Sequence, residues 1–372
     1  MTKDTGIKYW VYSIAIAVIC CIICITVYHT GNSKATNRIF GTSSAESNGK
    51  KIFYFGRSGG PFNKQLRFDR CNYSNCVFYF QKDLRYIAEA DSVIVEFNFN
   101  KMASLKVSAD VRERQLWLVY SHESPAFTFN RWSKRLNDFN GTLTYLHDSV
   151  PASIPWGLSV NKSTIPNASS VINYAKGKTK GAFAYVSQCD SQQYNRLKTM
   201  EKLGKYINVD IYGGCTRRRP CPRKRDSSCE IKKHSQYRFF LAFENSLCTE
   251  YITEKFWRNL QSNGYFIPVA IGGLSVDEYT RVAPPDSFIH AYNFSSITLL
   301  GKYLKTLMND DAAFNRYHQW RQKYKIEMNA LNYNFCNVCE VVNHPEMLSS
   351  VKHRKLAAEW NNLARCKKRL FS

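Results

Sequence analysis

The sequence predicts an α/β protein in which two parallel-sheet halves face each other across a cleft. Hydrophobic, β-branched and aromatic runs at residues 52–55, 92–97 and 115–121 are nearly continuous, as in strands that are buried on both faces. Beyond residue 180, strand-like and helix-like runs alternate, which indicates a parallel sheet covered by helices. A proline-bearing stretch at 150–180 lies between the two halves and is a plausible domain boundary.

Length and composition exclude several classes of protein. The chain has 372 residues, more than a single core usually carries, and 44% of them are hydrophobic, which excludes a mainly disordered protein. Lysine and arginine number 52 against 29 acidic residues, so the net charge is +23. A charge this basic indicates nucleic acid, an anionic surface or an anionic substrate as the partner, and composition does not choose among them.

The N-terminus predicts a membrane anchor. Residues 9–28 contain no charged side chain, and at helical rise they span about 30 Å, the thickness of a hydrocarbon core. Aromatic residues stand at both ends of this run, and no signal-peptide cleavage pattern fits it. We therefore predict a cytoplasmic tail at 1–8, an uncleaved signal anchor at 9–28 and a polar stem at 29–50.

Glycosylation motifs predict that the body of the chain lies in the secretory lumen. Basic residues on the two sides of the anchor are nearly balanced, so they do not decide its orientation. Acceptor motifs of the Asn-x-Ser/Thr type have meaning only in the lumen. Such a location also argues against nucleic acid as the partner. The predicted glycosylation sites are Asn72, Asn140, Asn161, Asn167 and Asn293.

The cysteines outside the anchor predict disulfides. An oxidising lumen makes disulfides the default state of cysteine. The alternative is that Cys336-Asn-Val-Cys339 forms half of a zinc site. No second Cys-x-x-Cys follows it, and the wider spacing of Cys71 and Cys76 is a poor second half, so disulfides are favoured.

The second half alternates between the two kinds of element. The predicted domains are residues 51–175 and 176–345, followed by a helical tail at 346–372. Strands are predicted at 182–186, 208–212, 239–243 and 265–270, and helices at 192–203, 253–262, 296–308 and 313–328.

The most informative segment is residues 237–273, where a buried strand ends in Phe243-Glu-Asn-Ser and a helix begins near Thr253-Glu-Lys255. Polar groups thus gather where doubly wound sheets bind ligands. A lysine in the first turn of a helix faces the positive end of the helix dipole, and a bound phosphate would turn this cost into a gain. The alternative for Lys255 is a solvated ion pair with Glu254 or another acid.

These residues resemble a known signature. Phe243-Glu-Asn-Ser, Tyr251-Ile-Thr-Glu-Lys255, Asn259 and Pro268 resemble the donor-binding motif of the α1,3-fucosyltransferases, glycosyltransferase family 10. Residues 117–125 and the Asn140-Gly-Thr-Leu-Thr-Tyr segment are similar to its acceptor-side motifs. The resemblance implies a GT-B-like fold of two Rossmann-like domains, and transfer of L-fucose from GDP-fucose to the 3-hydroxyl of GlcNAc in a glycoprotein glycan, with inversion. It also implies a single-pass type II Golgi membrane protein.

The resemblance also implies roles for individual residues. Glu123 matches the proposed catalytic base, and its alternative is a solvated carboxylate at the end of a loop. Arg196 and Lys255 match a diphosphate-binding pair, which suits a planar guanidinium and a compact ammonium. The residues that match positions lining the nucleotide sugar are Asn245, Tyr251 and Glu254, while Ser124 and Glu244 are weaker candidates. Crosslinks between the Cys71/Cys76 pair and the Cys336/Cys339 pair are likewise implied.

Further features bear on the cofactor and the substrate. No Asp-x-Asp occurs in the chain, so no metal-binding residues and no tightly bound cofactor are predicted; stimulation by a divalent ion is left open. Gln188 and Glu250 depart from the family pattern, which has Asn and Asp there.

The acceptor is either the N-glycan core or an N-acetyllactosamine antenna. The alternative function is a catalytically inactive type II membrane lectin or adhesion protein on the same scaffold.

Overall fold

Two parallel sheets frame the part of the chain that the structure, a computed structural model, describes. All of it falls in one compact unit, Ser47–Ser372. The described residues are 49–56, 68–69, 71–80, 84–97, 105–132, 135–163, 172–189, 194–222, 227–328, 331–344, 346–347, 356, 360, 365–367 and 370.

The first sheet confirms that the early hydrophobic runs are strands buried on both faces. Its strand order is β2-β1-β3-β4-β5-β6, and every pairing is parallel. Alternate residues enter different cores, because side chains alternate across a strand: Tyr54 and Leu118 pack on one face, and Phe53 and Val119 on the other. The strands are β1 (Lys50–Phe55), β2 (Cys76–Phe80), β3 (Ser92–Glu96), β4 (Leu116–Ser121), β5 (Gly141–Thr144) and β6 (Pro151–Ser153).

The second sheet confirms the predicted alternation of strands and helices. Its order is β12-β11-β10-β8-β9, again with parallel pairings throughout. The chain runs from β8 outward to β9 and then crosses to β10 on the other side of β8. The topological switch point therefore lies between β8 and β10. The strands are β8 (Lys180–Tyr185), β9 (Val209–Tyr212), β10 (Tyr237–Phe243), β11 (Ile267–Ile271) and β12 (Ile289–His290).

Helices cover both sheets and connect their strands. They are α1 (Ala109–Arg114), α2 (Pro125–Trp132), α3 (Arg196–Leu203), α4 (Ser227–His234), α5 (Glu254–Gln261), α6 (Val276–Thr280), α7 (Ile297–Leu307), α8 (Asp311–Arg316) and α9 (Leu331–Asn343). Short 3-10 helices occur at Leu84–Glu89, Leu136–Asp138, Ala291–Asn293 and Gln319–Gln322.

The helix predicted over 313–328 is wrong in its second half. The helix α8 ends at Arg316, and a strand, β13 (Tyr324–Met328), pairs antiparallel with β7 (Gly157–Asn161). The apolar residues of this stretch fit a helical period, yet Ile326 is the one fully covered residue of the strand. Long-range pairing with β7, which periodicity does not register, decides the conformation.

The helix α9 packs on the first sheet, although the sequence analysis assigned its residues to the second domain, 176–345. Phe335 and Val338 are buried in the core under β1 and β4. Disulfides join Cys71 to Cys336 and Cys76 to Cys339, as the family resemblance implied. The other described cysteines also pair, as Cys189–Cys215, Cys221–Cys229 and Cys248–Cys366.

Several predictions concern the ends and the surface of the chain. The tail, anchor and nearly all of the stem lie outside the described residues, and within those residues no helix has the length and hydropathy to cross a membrane. Leu356 and Trp360 of the C-terminal tail are buried against the first sheet. Of the predicted glycosylation sites, Asn72, Asn161 and Asn293 are exposed, Asn140 is half-buried with its Oδ1 accepting from the Trp117 amide (2.7 Å), and Asn167 lies outside the described residues.

Candidate active site

A first group of polar residues lies at the switch point of the second sheet. The residues after β8 and β10 meet there, at the carboxyl ends of the strands, where open α/β sheets bind ligands. Arg196, the first residue of α3, spans the switch point by donating from Nη1 to the Phe243 carbonyl (3.3 Å) and from Nη2 to the Gln188 carbonyl (2.6 Å). The Asn245 amide donates to Gln188 Oε1 (3.2 Å). The arginine therefore links two strand ends beneath the site.

Arg196 is more deeply buried than a simple phosphate ligand would be. Its side chain is 2% exposed, and its Nε has no hydrogen-bond partner among the described residues. Its positive charge still acts on the neighbouring Lys255, whose pKa it lowers. The predicted contact between Arg196 and a diphosphate therefore stays a prediction.

Lys255 lies in a cluster with two carboxylates at the start of α5. Its Nζ lies 3.3 Å from Glu244 Oε2 and 3.4 Å from Glu254 Oε1. Thr253 caps the helix, accepting from the Lys255 amide, and its own amide donates to Glu244 (2.8 Å). Burial acts to lower the pKa of Lys255, but the attraction of Glu244 and Glu254 outweighs it and raises that pKa. The ion pairs thus hold a charged ammonium that is 22% exposed.

Glu123 lies at the end of β4 and reaches the residues of the second sheet. Its amide donates to Ser121 Oγ (3.1 Å), which fixes the turn, and its Oε2 accepts from the Tyr251 hydroxyl (3.3 Å). Burial raises the pKa of the Glu123 carboxyl, while the Tyr251 hydrogen bond and the positive charge of Lys255 oppose the rise. A half-buried carboxylate with a raised pKa is a stronger base than a solvated one.

Two further contacts join the sheets at this point. The hydroxyls of Ser124 and Ser246, both fully buried, are 2.7 Å apart. The rings of Tyr145 and Tyr251 meet edge to face with centroids 5.2 Å apart. Glu123 from the first sheet and the Tyr251–Lys255 segment from the second therefore form one site.

The structure brings most of the predicted site residues together and adds others. Tyr251 hydrogen-bonds Glu123, and Lys255 pairs with Glu254 and with Glu244, the residue before Asn245. Sequence reasoning quoted Tyr145, Ser246 and Thr253 within its motifs but gave them no individual role, and it did not single out Glu278. Position is the signal for Tyr145 and Ser246, which follow strand ends, and for Thr253, which caps a helix; Glu278 has no such signal. In the described residues no group of three or more potential metal ligands occurs.

Comparison with known proteins identifies the family. Residues 47–156 match the description "Fucosyltransferase, N-terminal", and residues 175–359 match "Glycosyltransferase family 10 (fucosyltransferase) C-term". The human 4-galactosyl-N-acetylglucosaminide 3-alpha-L-fucosyltransferase FUT6 is 33% identical over 289 residues, which are 75% of this chain and 76% of the human protein. The chain belongs to glycosyltransferase family 10.

Two invertebrate members of the family are longer than this chain. Alpha-(1,3)-fucosyltransferase fut-1 of Caenorhabditis elegans is 32% identical over 68% of this chain, and glycoprotein 3-alpha-L-fucosyltransferase A of Drosophila melanogaster is 31% identical over 78% of it. The chain spans 57% and 56% of those two proteins. A crystal structure of an α1,3-fucosyltransferase with GDP-fucose aligns with 85% of this chain and 94% of its own, at 15% identity and a TM-score of 0.44.

Proposed function

We propose that this protein is an inverting α1,3-fucosyltransferase that moves L-fucose from GDP-fucose to the 3-hydroxyl of GlcNAc in glycoprotein glycans. The observation that carries the proposal is the hydrogen bond from Tyr251 to Glu123, which joins the predicted base to the donor signature across the two sheets. The names of the relatives, all fucosyltransferases, support it. An inactive lectin on the same scaffold is not favoured, because Glu123 and the Tyr251–Lys255 segment are present and adjacent.

The proposed reaction is a single displacement. The acceptor 3-hydroxyl gives its proton to Glu123 while its oxygen attacks the anomeric carbon of fucose, and the bond from that carbon to the GDP oxygen breaks. Negative charge grows on the leaving diphosphate. Lys255, whose ammonium is 22% exposed at the start of α5, supplies the compensating charge. Asn245 and Glu254 orient the nucleotide sugar, and Arg196 holds the strand ends below it.

The donor site needs no metal in this account. Lys255 supplies positive charge to the diphosphate, and GDP-fucose is a substrate rather than a resident cofactor. A stimulatory divalent ion would act on the bound nucleotide, and activity with and without a chelator measures its contribution.

The proposed setting is the Golgi membrane. We infer a single-pass type II protein from the apolar run at 9–28, the glycosylation motifs and the disulfides. Partners of the protein are then GDP-fucose and GlcNAc-containing glycans, with no nucleic acid among them. Protease protection of the lumenal part in sealed vesicles tests this topology, and digestion without detergent contradicts it.

A transfer assay tests the function. The full chain, purified in mild detergent, is incubated with radiolabelled GDP-fucose and, in parallel, with a core N-glycan and an N-acetyllactosamine glycan. We expect labelled product from at least one of them. Only an α1,3-specific fucosidase should release the labelled fucose from it. Absence of product from both, with a folded protein, contradicts the proposal, and the preferred acceptor resolves the core from the antennary alternative.

A further inference from the structure

A loop at residues 213–222 follows β9 and is tied to the edge of the candidate active site. The disulfide Cys189–Cys215 joins the residues after β8 to those after β9. Cys189 is the neighbour of Gln188, whose carbonyl accepts from Arg196 Nη2 (2.6 Å). The loop therefore begins at the carboxyl edge of the sheet, where doubly wound sheets bind ligands.

Backbone hydrogen bonds and a second disulfide fix this loop to its surroundings. The Gly213 amide donates to the Arg218 carbonyl (3.0 Å) and so closes the turn after β9. Gly213 has a φ of +110°, and a Cβ at this position would lie 2.7 Å from the Val186 carbonyl oxygen, so the turn requires glycine. At its far end the loop is bonded to α4 by the disulfide Cys221–Cys229.

Exposed basic side chains outnumber acidic ones on this loop and on α4. We call the basic face the exposed side chains of Arg217, Arg218, Arg219, Lys232 and Lys233. Glu230 is the one acidic residue in the described parts of 213–234. Arg218 pairs with Asp210 of β9 (3.1 Å), and no carboxylate of the described residues pairs with the other four. The basic face thus carries a positive charge that its surroundings do not neutralise.

The two parts of the basic face adjoin each other. The Arg218 guanidinium lies 5.8 Å from the centre of the Tyr212 ring, and that ring lies 6.5 Å from the ring of His234, the residue after Lys233. Burial lowers the pKa of His234 to about 4, so this histidine is neutral at pH 7 and the charge of the face comes from its arginines and lysines.

The candidate active site itself has no such excess of positive charge. Its cations are Arg196, which is 2% exposed, and Lys255. Its carboxylates are those of Glu123, Glu244 and Glu254, and the last two lie 3.3 Å and 3.4 Å from the Lys255 ammonium. A nucleoside diphosphate is an anion, and attraction over a longer distance requires positive charge outside such a site.

We propose that the basic face steers the anionic nucleoside diphosphate of the donor into the candidate active site. Because β9 lies one strand beyond β8, the face stands beside the switch point between β8 and β10, so its charges act on the approaching nucleotide rather than on the bound one. Steering of this kind raises association rates by roughly 10- to 1,000-fold. The proposal rests on the proposed function for the identity of the donor.

Reversal of charge on the basic face tests the proposal. The variant is Arg217→Glu/Arg219→Glu in the full chain, purified in mild detergent. Stopped-flow fluorescence of a methylanthraniloyl derivative of GDP gives its association and dissociation rates, with a chelator present so that the nucleotide keeps its charge. Each rate is measured at low and at high salt, and melting curves verify that each chain is folded.

Lys302→Glu/Lys305→Glu is the matched control, because it makes the same change of net charge elsewhere. Both lysines are exposed on the second half of α7. The end of this helix lies at the opposite edge of the second sheet, since Arg238 at the start of β10 donates to the Leu307 carbonyl (3.1 Å). The control therefore separates the position of the charge from its amount.

We expect the association rate of Arg217→Glu/Arg219→Glu to fall about fivefold or more at about 0.01 M salt, where the screening length is about 30 Å. The difference should vanish at about 1 M salt, where that length is about 3 Å. The dissociation rate should stay within about twofold of the unmodified chain, and the control should associate as that chain does.

An unchanged association rate at low salt, an equal fall in the control, or a fall that persists at high salt overturns the steering. A raised dissociation rate with unchanged association means direct contact with the bound nucleotide and overturns it as well. If transfer occurs and the basic face has no effect on association, the steering fails and the proposed function stands. Steered binding of the nucleotide without fucose transfer would overturn the proposed function alone, and a folded chain that binds no nucleotide would overturn both.

Discussion

Replacing Lys255 by methionine should destabilise the protein in a way that depends on pH. The substitution keeps the length of the side chain and removes the ammonium, which leaves the Glu244 carboxylate, 0% exposed, without its counter-charge 3.3 Å away. Loss of one partner from a buried ion pair costs about 3–5 kcal/mol. Because Lys255 is 22% exposed and Glu244 keeps its bonds from Thr253, we expect a loss of about 2 kcal/mol at pH 7.5.

The sign of the pH dependence follows from Glu244. Burial raises the pKa of this carboxyl above its ordinary value, and Lys255 opposes the rise, so removal of the lysine raises that pKa further. When a carboxyl has a higher pKa in the folded than in the unfolded state, the protein loses stability as the pH rises from the unfolded-state pKa to the folded-state pKa. The deficit of Lys255→Met should therefore shrink at pH 5.

Urea unfolding of the oxidised protein measures this deficit. The double variant Glu244→Gln/Lys255→Met is the control, because it removes the carboxylate that the lysine neutralises, and it should recover at least half of the loss. A single variant as stable as the parent at pH 7.5, or a double variant less stable than the single one, would refute the reasoning.

Three other changes have defined outcomes. Tyr251→Phe removes the hydrogen bond that holds down the pKa of Glu123, so the acidic limb of the pH profile of kcat/KM should move to higher pH; an unmoved limb argues against Glu123 as the base. Lys178→Met orphans three carbonyls that Nζ contacts at 2.5–3.0 Å, and should cost about 3 kcal/mol in urea unfolding without changing kcat. Serine in place of both Cys248 and Cys366 opens a crosslink across 118 residues and should cost about 4 kcal/mol. It should also lower kcat, since the tail then loses its covalent tie to the Tyr251 loop and keeps hydrogen bonds to Leu247 and Thr249; an unchanged kcat contradicts that positioning role.

The elements that could be predicted from the sequence are those whose two faces are buried. Runs such as 116–121 and 237–243 are hydrophobic throughout because both sides of each strand enter a core, and no competing structure suits them. The strand at 324–328 could not be predicted, since its pairing with 157–161 is a long-range contact. The hydrophobic pattern likewise did not indicate that residues 331–343 would return to the first sheet; that return was indicated only by the crosslinks that the family resemblance implied, from Cys336 and Cys339 to Cys71 and Cys76.

The candidate site was predictable at the strand ends and not beyond them. Glu123 stands just after a buried strand and Lys255 in the first turn of a helix, and the family resemblance gave each a role. The burial of Arg196 could not be predicted, because the sequence does not distinguish an arginine that binds a phosphate at a helix start from one that hydrogen-bonds two strand ends. The contact between Tyr145 and Tyr251 is visible only once the two sheets are in contact.

The central claim is that Glu123 is the base of a fucosyl transfer, and Glu123→Gln tests it most directly. The change keeps the shape of the side chain and the contact with Tyr251 while removing the basic oxygen. We expect transfer from GDP-fucose to a GlcNAc glycan to fall by about 10²–10⁴, with GDP affinity within twofold of the parent. Near-normal turnover in Glu123→Gln would contradict the account.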